Sequence, residues 1–295
     1  MKIKFSIPEC LWNIKADLGE GITWVKSKKS VFFVDINKKK LFSFNVKNKS
    51  KKKFNFKSNL SFIFHIKKNL FLCGFEKKIK ILDLNRKIFT KIIAIEKNIK
   101  NNRINDGQID PKGNLWFGTM DKNEKKKTGS LYCLNKNLIL KKVDTNYIIP
   151  NGPVFIRDKI FYHTESSKRI IYKITINKNF KIINKKIFVK LNKKDGYPDG
   201  MTVDQKGNLW VCKFNGYGLS IFNKKGKFIE KIKIPSKNVT KCEFGGENNK
   251  DLFIITAKTR NNKKELQKYK FSGGLFRVKT NIKGRLQKKF NLQND

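Results

Sequence analysis

The chain has 295 residues, of which 39% are hydrophobic and 12% aromatic, so it can bury a sizeable core and is not a disordered basic tail. Its formal net charge is +45, yet only seven of the 68 basic residues are Arg, the residue best suited to bidentate contacts with bases and phosphates. Since the lysines are spread along the whole chain, the charge favours a solvated lysine surface over specific nucleic-acid binding, with polyanion binding as the alternative.

The start of the chain, Met1-Lys2-Ile3-Lys4-Phe5, lacks the apolar stretch of a signal peptide. No apolar run approaches the roughly 18 residues needed to cross a bilayer. The five cysteines are widely spaced and include no Cys-x-x-Cys pair, which is typical of buried free thiols in a reducing compartment. We therefore expect a cytoplasmic protein that does not associate with membranes.

Six copies of one strand pattern follow each other along the chain, at intervals of 39 to 49 residues. Each copy is an apolar, β-rich strand, a polar turn and a second strand in which apolar and polar residues alternate. The clearest pair is Asp110–Met120 and Asp204–Phe214, which share the motif Lys-Gly-Asn-Leu-Trp. The six copies begin at Val31, Leu70, Leu115, Ile160, Leu209 and Leu252.

Repeats of this length, each with about four short strands, predict an all-β fold, the six-bladed β-propeller. We expect residues 1–295 to form a single domain of this kind. The segment after Lys279 is expected to complete the last blade and then continue as a loose tail. Cys73, Cys212 and His163 fall at equivalent strand positions, so we interpret them as packing residues rather than ligands.

Polar side chains recur nine to eleven residues before the marker strand in four repeats. They are Glu20, Asn105, Asn151 and Asp199; in the second and sixth repeats, the same count falls on Leu60 and Cys242. Because the inner strands of a propeller line its central channel, we expect these side chains to converge there. Carboxylate and amide oxygens suit Ca²⁺, Mg²⁺ or Mn²⁺, whereas Zn²⁺ would lack its usual nitrogen and sulfur ligands. The alternative is that the Asn-Gly and Asp-Gly pairs only form turns.

Several distinctive segments occur in a fixed order over about residues 15–280. They include Leu18–Trp24, Arg103–Met120, Pro150–Gly152, Tyr197–Trp210 and Phe244–Gly246. As a set, they resemble the family of senescence marker protein, gluconolactonase and luciferin-regenerating enzyme, which includes regucalcin.

The resemblance implies a six-bladed propeller that holds one divalent cation (Ca²⁺, Zn²⁺, Mg²⁺, Mn²⁺ or Fe²⁺) through Glu20, Asn151 and Asp199. Family substrate contacts fall on Arg103 and Asn105, and an acidic contact of some members falls near Asn123 or Glu124. The implied activity is metal-dependent hydrolysis of a sugar lactone to its aldonic acid. Asp199 is the candidate catalytic residue that orients or deprotonates the water, and activation of the water by the cation is the alternative.

Two other functions stay open at this point. The chain could be a non-catalytic propeller that binds a metal or a partner protein, since a fold does not determine a function. It could also be a polyanion-binding protein driven by its charge. Nucleic-acid affinity that survives about 200 mM salt would favour this last reading.

Overall fold

The computed structural model describes residues 2–293, in which most regular structure is β-strand. The described residues divide into two compact units. Unit 1 contains residues 2–59 and 191–287, and unit 2 contains residues 60–190 and 288–293. Each unit has three four-stranded antiparallel sheets, and the six sheets are the blades of a six-bladed β-propeller, as the repeat predicted.

The strands of the first three blades follow the chain. The first strand, β1 (Glu9–Trp12), precedes them. Blade 1 contains β2 (Gly19–Val25), β3 (Ser30–Asp35), β4 (Lys40–Asn45) and β5 (Lys51–Asn55). Blade 2 contains β6 (Leu60–Lys67), β7 (Leu70–Phe75), β8 (Lys78–Asp83) and β9 (Ile88–Ala94). Blade 3 contains β10 (Asn102–Ile109), β11 (Leu115–Asp121), β12 (Gly129–Leu134) and β13 (Leu140–Tyr147).

The last three blades continue the order. Blade 4 contains β14 (Pro150–Arg157), β15 (Ile160–Glu165), β16 (Ile170–Ile176) and β17 (Ile182–Lys190). Blade 5 contains β18 (Tyr197–Val203), β19 (Leu209–Phe214), β20 (Gly218–Phe222) and β21 (Phe228–Lys233). Blade 6 contains β22 (Asn238–Gly245), β23 (Asp251–Ala257) and β24 (Leu275–Lys279). Short helical turns lie at Lys26–Lys28, Ser166–Lys168, Lys193–Asp195 and Lys263–Lys268.

The six copies found in the sequence are the second strands of the six blades, β3, β7, β11, β15, β19 and β23. These strands are almost wholly buried, whereas outer strands such as β5 and β9 are mostly exposed. Because these second strands are buried on both faces, their sequences are continuous apolar runs. Within unit 1, blade 6 lies between blades 5 and 1; within unit 2, blade 3 lies between blades 2 and 4.

The repeated Asp-x-Lys-Gly-Asn-Leu-Trp motif closes the first turn of blades 3 and 5. Asp110 accepts hydrogen bonds from the backbone of Lys112 (2.8 Å) and Asn114 (2.9 Å) and from the indole of Trp116 (2.9 Å). Asp204 likewise accepts from the backbone of Asn208 (2.9 Å) and the indole of Trp210 (3.1 Å). One carboxylate thus joins the turn to the buried tryptophan of the next strand, which explains why the motif recurs.

The outer strand of blade 6 is β1, from the beginning of the chain, which pairs antiparallel with β24. The prediction that the segment after Lys279 completes this blade is therefore wrong. The prediction of a loose tail is also wrong, because Phe290 is 2% exposed and packs in the core of unit 2. The backbone of Asn291 donates to Gly113 O there (3.0 Å), and within unit 1 Arg285 donates to Val203 O (3.1 Å). No helix within residues 2–293 is long and apolar enough to cross a membrane.

Candidate metal and substrate site

Each of the six inner strands contains a one-residue register shift against its neighbour. The shifts fall between Glu20 and Thr23, Leu60 and Phe62, Ile104 and Gly107, Asn151 and Val154, Pro198 and Met201, and Val239 and Lys241. A β-bulge of this kind bends the strand and re-aims its side chains. The four polar residues singled out from the sequence all lie at or beside their bulge.

Blades 2 and 6 carry a hydroxyl at the bulge. Ser61 Oγ donates to Ile104 O of blade 3 (2.8 Å), and Thr240 Oγ1 donates to Gly19 O of blade 1 (2.6 Å). The sequence spacing predicted Leu60 and Cys242 at the equivalent positions. In the structure, the residues at the bulges are Ser61, one residue after Leu60, and Thr240, two residues before Cys242. In these two blades, the bulge ties neighbouring inner strands together instead of presenting a ligand.

In unit 2, three of the predicted site residues form one hydrogen-bond chain. The Arg103 guanidinium Nη1 donates to Asn105 Oδ1 (2.8 Å), and Asn105 Nδ2 donates to Asn151 Oδ1 (3.0 Å). Asn105 Nδ2 also donates to Pro150 O (2.9 Å), next to Asn151 in the chain. The two proposed substrate contacts and one proposed metal ligand are therefore adjacent side chains.

The orientation of Asn151 is fixed by two residues that the sequence analysis missed. Asn151 Nδ2 donates to Ser166 Oγ (3.0 Å), and its backbone N–H donates to Thr164 Oγ1 (3.0 Å). Because the Nδ2 atom is directed at Ser166, Oδ1 is the atom presented toward Asn105. An amide oxygen has two lone pairs, so one is available to a cation when the other accepts from Asn105.

Asp106 joins the inner strands of blades 3 and 4. Its Oδ1 accepts from Gly107 N (2.7 Å) and its Oδ2 accepts from Gly152 N (2.9 Å). Gly152 has φ of 81°, in the left-handed region that favours glycine, which explains why glycine follows Asn151. The carboxylate of Asp106 is 4% exposed and positions the backbone beside the candidate ligand. Its place in the Asn105-Asp106-Gly107 motif was the available sequence signal.

In unit 1, the candidate ligands are both carboxylates. Glu20 lies in β2 and is half-buried, with its Oε2 accepting from Gly21 N (3.3 Å), and Asp199 lies in β18 and is 7% exposed. Both carboxylates interact electrostatically with one buried thiol, that of Cys212. Burial raises the pKa of Cys212, and the neighbouring Cys242 and then Asp199 and Glu20 raise it further. The two carboxylates are therefore within electrostatic range of one point in this unit.

The residues interpreted as packing groups are buried. Cys73, Cys212 and His163 are each 0% exposed, and the His163 ring packs edge-on against Tyr147 at 4.9 Å. Burial lowers the pKa of His163 to about 3, and Lys185 adds to this shift. His163 is consequently neutral at physiological pH and is part of the core of blade 4.

The donor chemistry fits a hard divalent cation. Within residues 2–293, no group of three or more His, Cys, Asp or Glu side chains is arranged to hold a metal ion. The predicted set has two carboxylates and one carboxamide, and such oxygen ligands are those that Ca²⁺, Mg²⁺ and Mn²⁺ take in proteins. The fixed orientation of the Asn151 amide is the observation that favours its Oδ1 as a candidate ligand.

A sequence profile described as the SMP-30/gluconolactonase/LRE-like region matches residues 18–258. The chain belongs to this family. Bovine regucalcin is 28% identical over 278 residues, which cover 92% of this chain and 93% of that protein. A Bacillus subtilis protein, provisionally named sugar lactone lactonase YvrE, is 35% identical over 179 residues, 59% of this chain and 61% of that protein.

Among solved structures, the luciferin-regenerating enzyme superimposes with a TM-score of 0.89 and 29% sequence identity. The match covers 97% of this chain and 99% of that enzyme. The likeness extends over all six blades, so the resemblance expected from the sequence is confirmed.

Proposed function

We propose that the protein hydrolyses a sugar lactone to its aldonic acid, with one divalent cation held by Glu20, Asn151 and Asp199. Arg103 and Asn105 are the proposed substrate contacts. The hydrogen-bond chain from Arg103 through Asn105 to Asn151 carries the proposal, because it joins the two proposed substrate contacts to one of the proposed ligands. Membership of the family and the name of the Bacillus subtilis relative support the reaction class.

The reaction adds water across the ring ester. A bound divalent cation supplies positive charge that stabilises the negative charge developing on the lactone carbonyl oxygen. Asp199 accepts a proton from water as the water oxygen bonds to the carbonyl carbon, and the proton is returned to the ring oxygen as the ring C–O bond breaks. The products are one carboxyl and one hydroxyl group on the same sugar chain.

Arg103 and Asn105 hold the sugar during this reaction. The guanidinium makes charge-assisted hydrogen bonds to sugar hydroxyls and then to the new carboxylate. Because Asn105 is fixed between Arg103 and Asn151, the substrate contacts are oriented before the lactone binds.

The test uses metal-stripped protein with Ca²⁺, Mg²⁺, Mn²⁺, Zn²⁺ and Fe²⁺ added back separately. Proton release from a panel of aldonolactones measures turnover, and calorimetry measures cation binding. Asp199→Ala should lose both, while the control Asp158→Ala, in the exposed turn between β14 and β15, should lose neither. Normal turnover by Asp199→Ala would contradict the proposal. Cation binding without turnover of any lactone would support a non-catalytic propeller instead.

A further inference from the structure

The connection between β11 and β12 in blade 3 is a closed and well-anchored loop. We call its residues 122–127 the lysine loop. Asp121 Oδ2 accepts from the backbone of Lys125 (3.0 Å) and Lys126 (3.1 Å). At the other end, Asn102 Nδ2 donates to Thr128 O (3.0 Å), and Thr128 Oγ1 donates back to Asn102 Oδ1 (2.6 Å). Both anchoring side chains are buried, so the loop has a defined conformation.

The side chains of this loop put positive charge into solvent. Lys122, Lys125, Lys126 and Lys127 are all exposed, against one acidic residue, the half-buried Glu124. The Asp121 carboxylate beside them is directed inward. Burial alone would raise the pKa of Asp121, but the hydrogen bonds from Lys125, Lys126 and Asn101 lower it, so it stays ionised as an anchor.

Acidic groups at the same end of blades 3 and 4 are also directed inward. Asp106 accepts from the backbone of Gly107 and Gly152. Glu165 accepts from the backbone of Ile148 (2.8 Å) and Ile149 (3.1 Å) and from Ser167 Oγ (2.7 Å). These two carboxylates are engaged by backbone N–H groups, while the four lysines of the loop face solvent, so the local field attracts anions.

The lysine loop begins beside Arg103. Arg103 pairs with Met120 across β10 and β11, and Lys122 N donates to Asn101 O (2.9 Å), which continues the ladder by two residues. Lys122 is the first residue after β11, so the loop starts at the end of blade 3 where Arg103 lies, one strand pair beyond Asn102 and Asp121. A sugar held by Arg103 is therefore within reach of a lysine side chain.

We propose that the lysine loop binds an anionic group, a phosphate or a carboxylate, carried by the lactone away from its carbonyl carbon. Anionic lactones are then the preferred substrates of the proposed reaction. The inference rests on the proposed function, since it takes Arg103 as a substrate contact. Lysine binds phosphate as a point charge and needs no fixed fork geometry, so four exposed lysines on an anchored loop suffice.

The test compares kcat/KM, by proton release, for three lactones. These are 6-phosphoglucono-δ-lactone, glucaro-1,4-lactone with its free carboxylate, and neutral glucono-δ-lactone. We expect at least one anionic lactone to exceed the neutral one by about tenfold at low salt, and the advantage to shrink at high salt because exposed charges are screened. The two anionic arms identify which group is bound.

Two quadruple variants separate a local effect from the overall charge. In K122Q/K125Q/K126Q/K127Q, the ratio of kcat/KM for anionic over neutral lactone should fall about tenfold. The matched control K112Q/K136Q/K159Q/K178Q removes the same charge from exposed turns at the opposite end of blades 3 and 4 and should keep the ratio. Equal losses in both variants would mean non-specific attraction only and would overturn the proposal.

A binding measurement keeps the test independent of catalysis. Calorimetry on the metal-stripped protein compares 6-phosphogluconate and glucarate with gluconate, and the loop variant should lose any preference for the anion-bearing ligand. Turnover of the neutral lactone alone would overturn this inference and leave the proposed function standing. Failure of all three lactones with every metal would overturn the proposed function itself.

Discussion

The two units contain candidate residues of different chemistry. In unit 1, the candidate ligands Glu20 and Asp199 are carboxylates that both interact electrostatically with the buried thiol of Cys212. In unit 2, the candidates are two carboxamides and a guanidinium, joined by hydrogen bonds of 2.8 and 3.0 Å. All five sit on bulged inner strands, so the difference is one of side chains rather than backbone.

This difference indicates a division of roles. A carboxylate contributes a negative charge that attracts the cation. An amide held by hydrogen bonds presents its oxygen in a fixed direction and adds no net charge. For the proposed reaction, Glu20 and Asp199 are expected to dominate affinity for the cation, and Asn105 and Asn151 are expected to orient the ligands and the substrate. Substitutions in the two units test whether the carboxylates and the amides have these separate roles, and whether equivalent turn motifs contribute equally to stability.

The largest effect is expected for Asp199→Asn, which keeps the shape of the side chain and removes its charge. We expect kcat/KM for the lactone to fall about a thousandfold, because both a cation ligand and the proposed base are lost. The thermal midpoint of the metal-stripped protein should not decrease. A decrease in kcat/KM of less than about tenfold would contradict the role assigned to the negative charge of Asp199.

The turn motif occurs once in each unit and allows a matched comparison of stability. Asp110→Ala and Asp204→Ala should each lower the free energy of unfolding by about 2–4 kcal/mol, because a buried tryptophan N–H and a turn amide lose their acceptor. Urea unfolding followed by tryptophan fluorescence measures both. A small effect in one variant alone would show that the motif is structural in only one unit.

His163 gives unit 2 a distinct pH dependence. Its pKa is about 3 in the fold against 6.5 in its ordinary state, so the unfolded chain binds more protons between these values. Stability from this residue is present above pH 6.5 and is lost as the pH falls toward 3. At pH 5, this costs about 2 kcal/mol. His163→Phe should flatten the slope of unfolding free energy against pH in this range, and an unchanged slope would contradict the assignment.

The smallest effect is expected from Ser166→Ala, which frees the amide of Asn151 to rotate. Cation affinity should fall about tenfold, as is usual when a group that orients a ligand is removed. Ser166→Thr retains the hydroxyl and should restore the affinity measured by calorimetry. Equal loss in both variants would indicate a steric effect rather than loss of the hydrogen bond.

Much of the candidate site was visible in the sequence because its residues recur at a regular distance before the marker strands. Thr164 and Ser166 were not visible, because their contacts with Asn151 depend on pairing between β14 and β15 and on the turn after β15. The prediction that Leu60 and Cys242 occupy positions equivalent to the candidate ligands was wrong for a similar reason. Counting along the chain does not show where an inner strand gains its extra residue.

By itself, the sequence determined the strands, the turns and the number of blades, since alternation, apolar runs and Gly-Asn turns act over a few residues. Only the tertiary structure decided that β1 completes blade 6, where Phe290 packs, and that Arg103, Asn105 and Asn151 touch. These features join residues up to 268 positions apart, such as Glu9 and Arg277. Such contacts form because the folded chain brings unpaired strand edges and polar groups together, which no local pattern encodes.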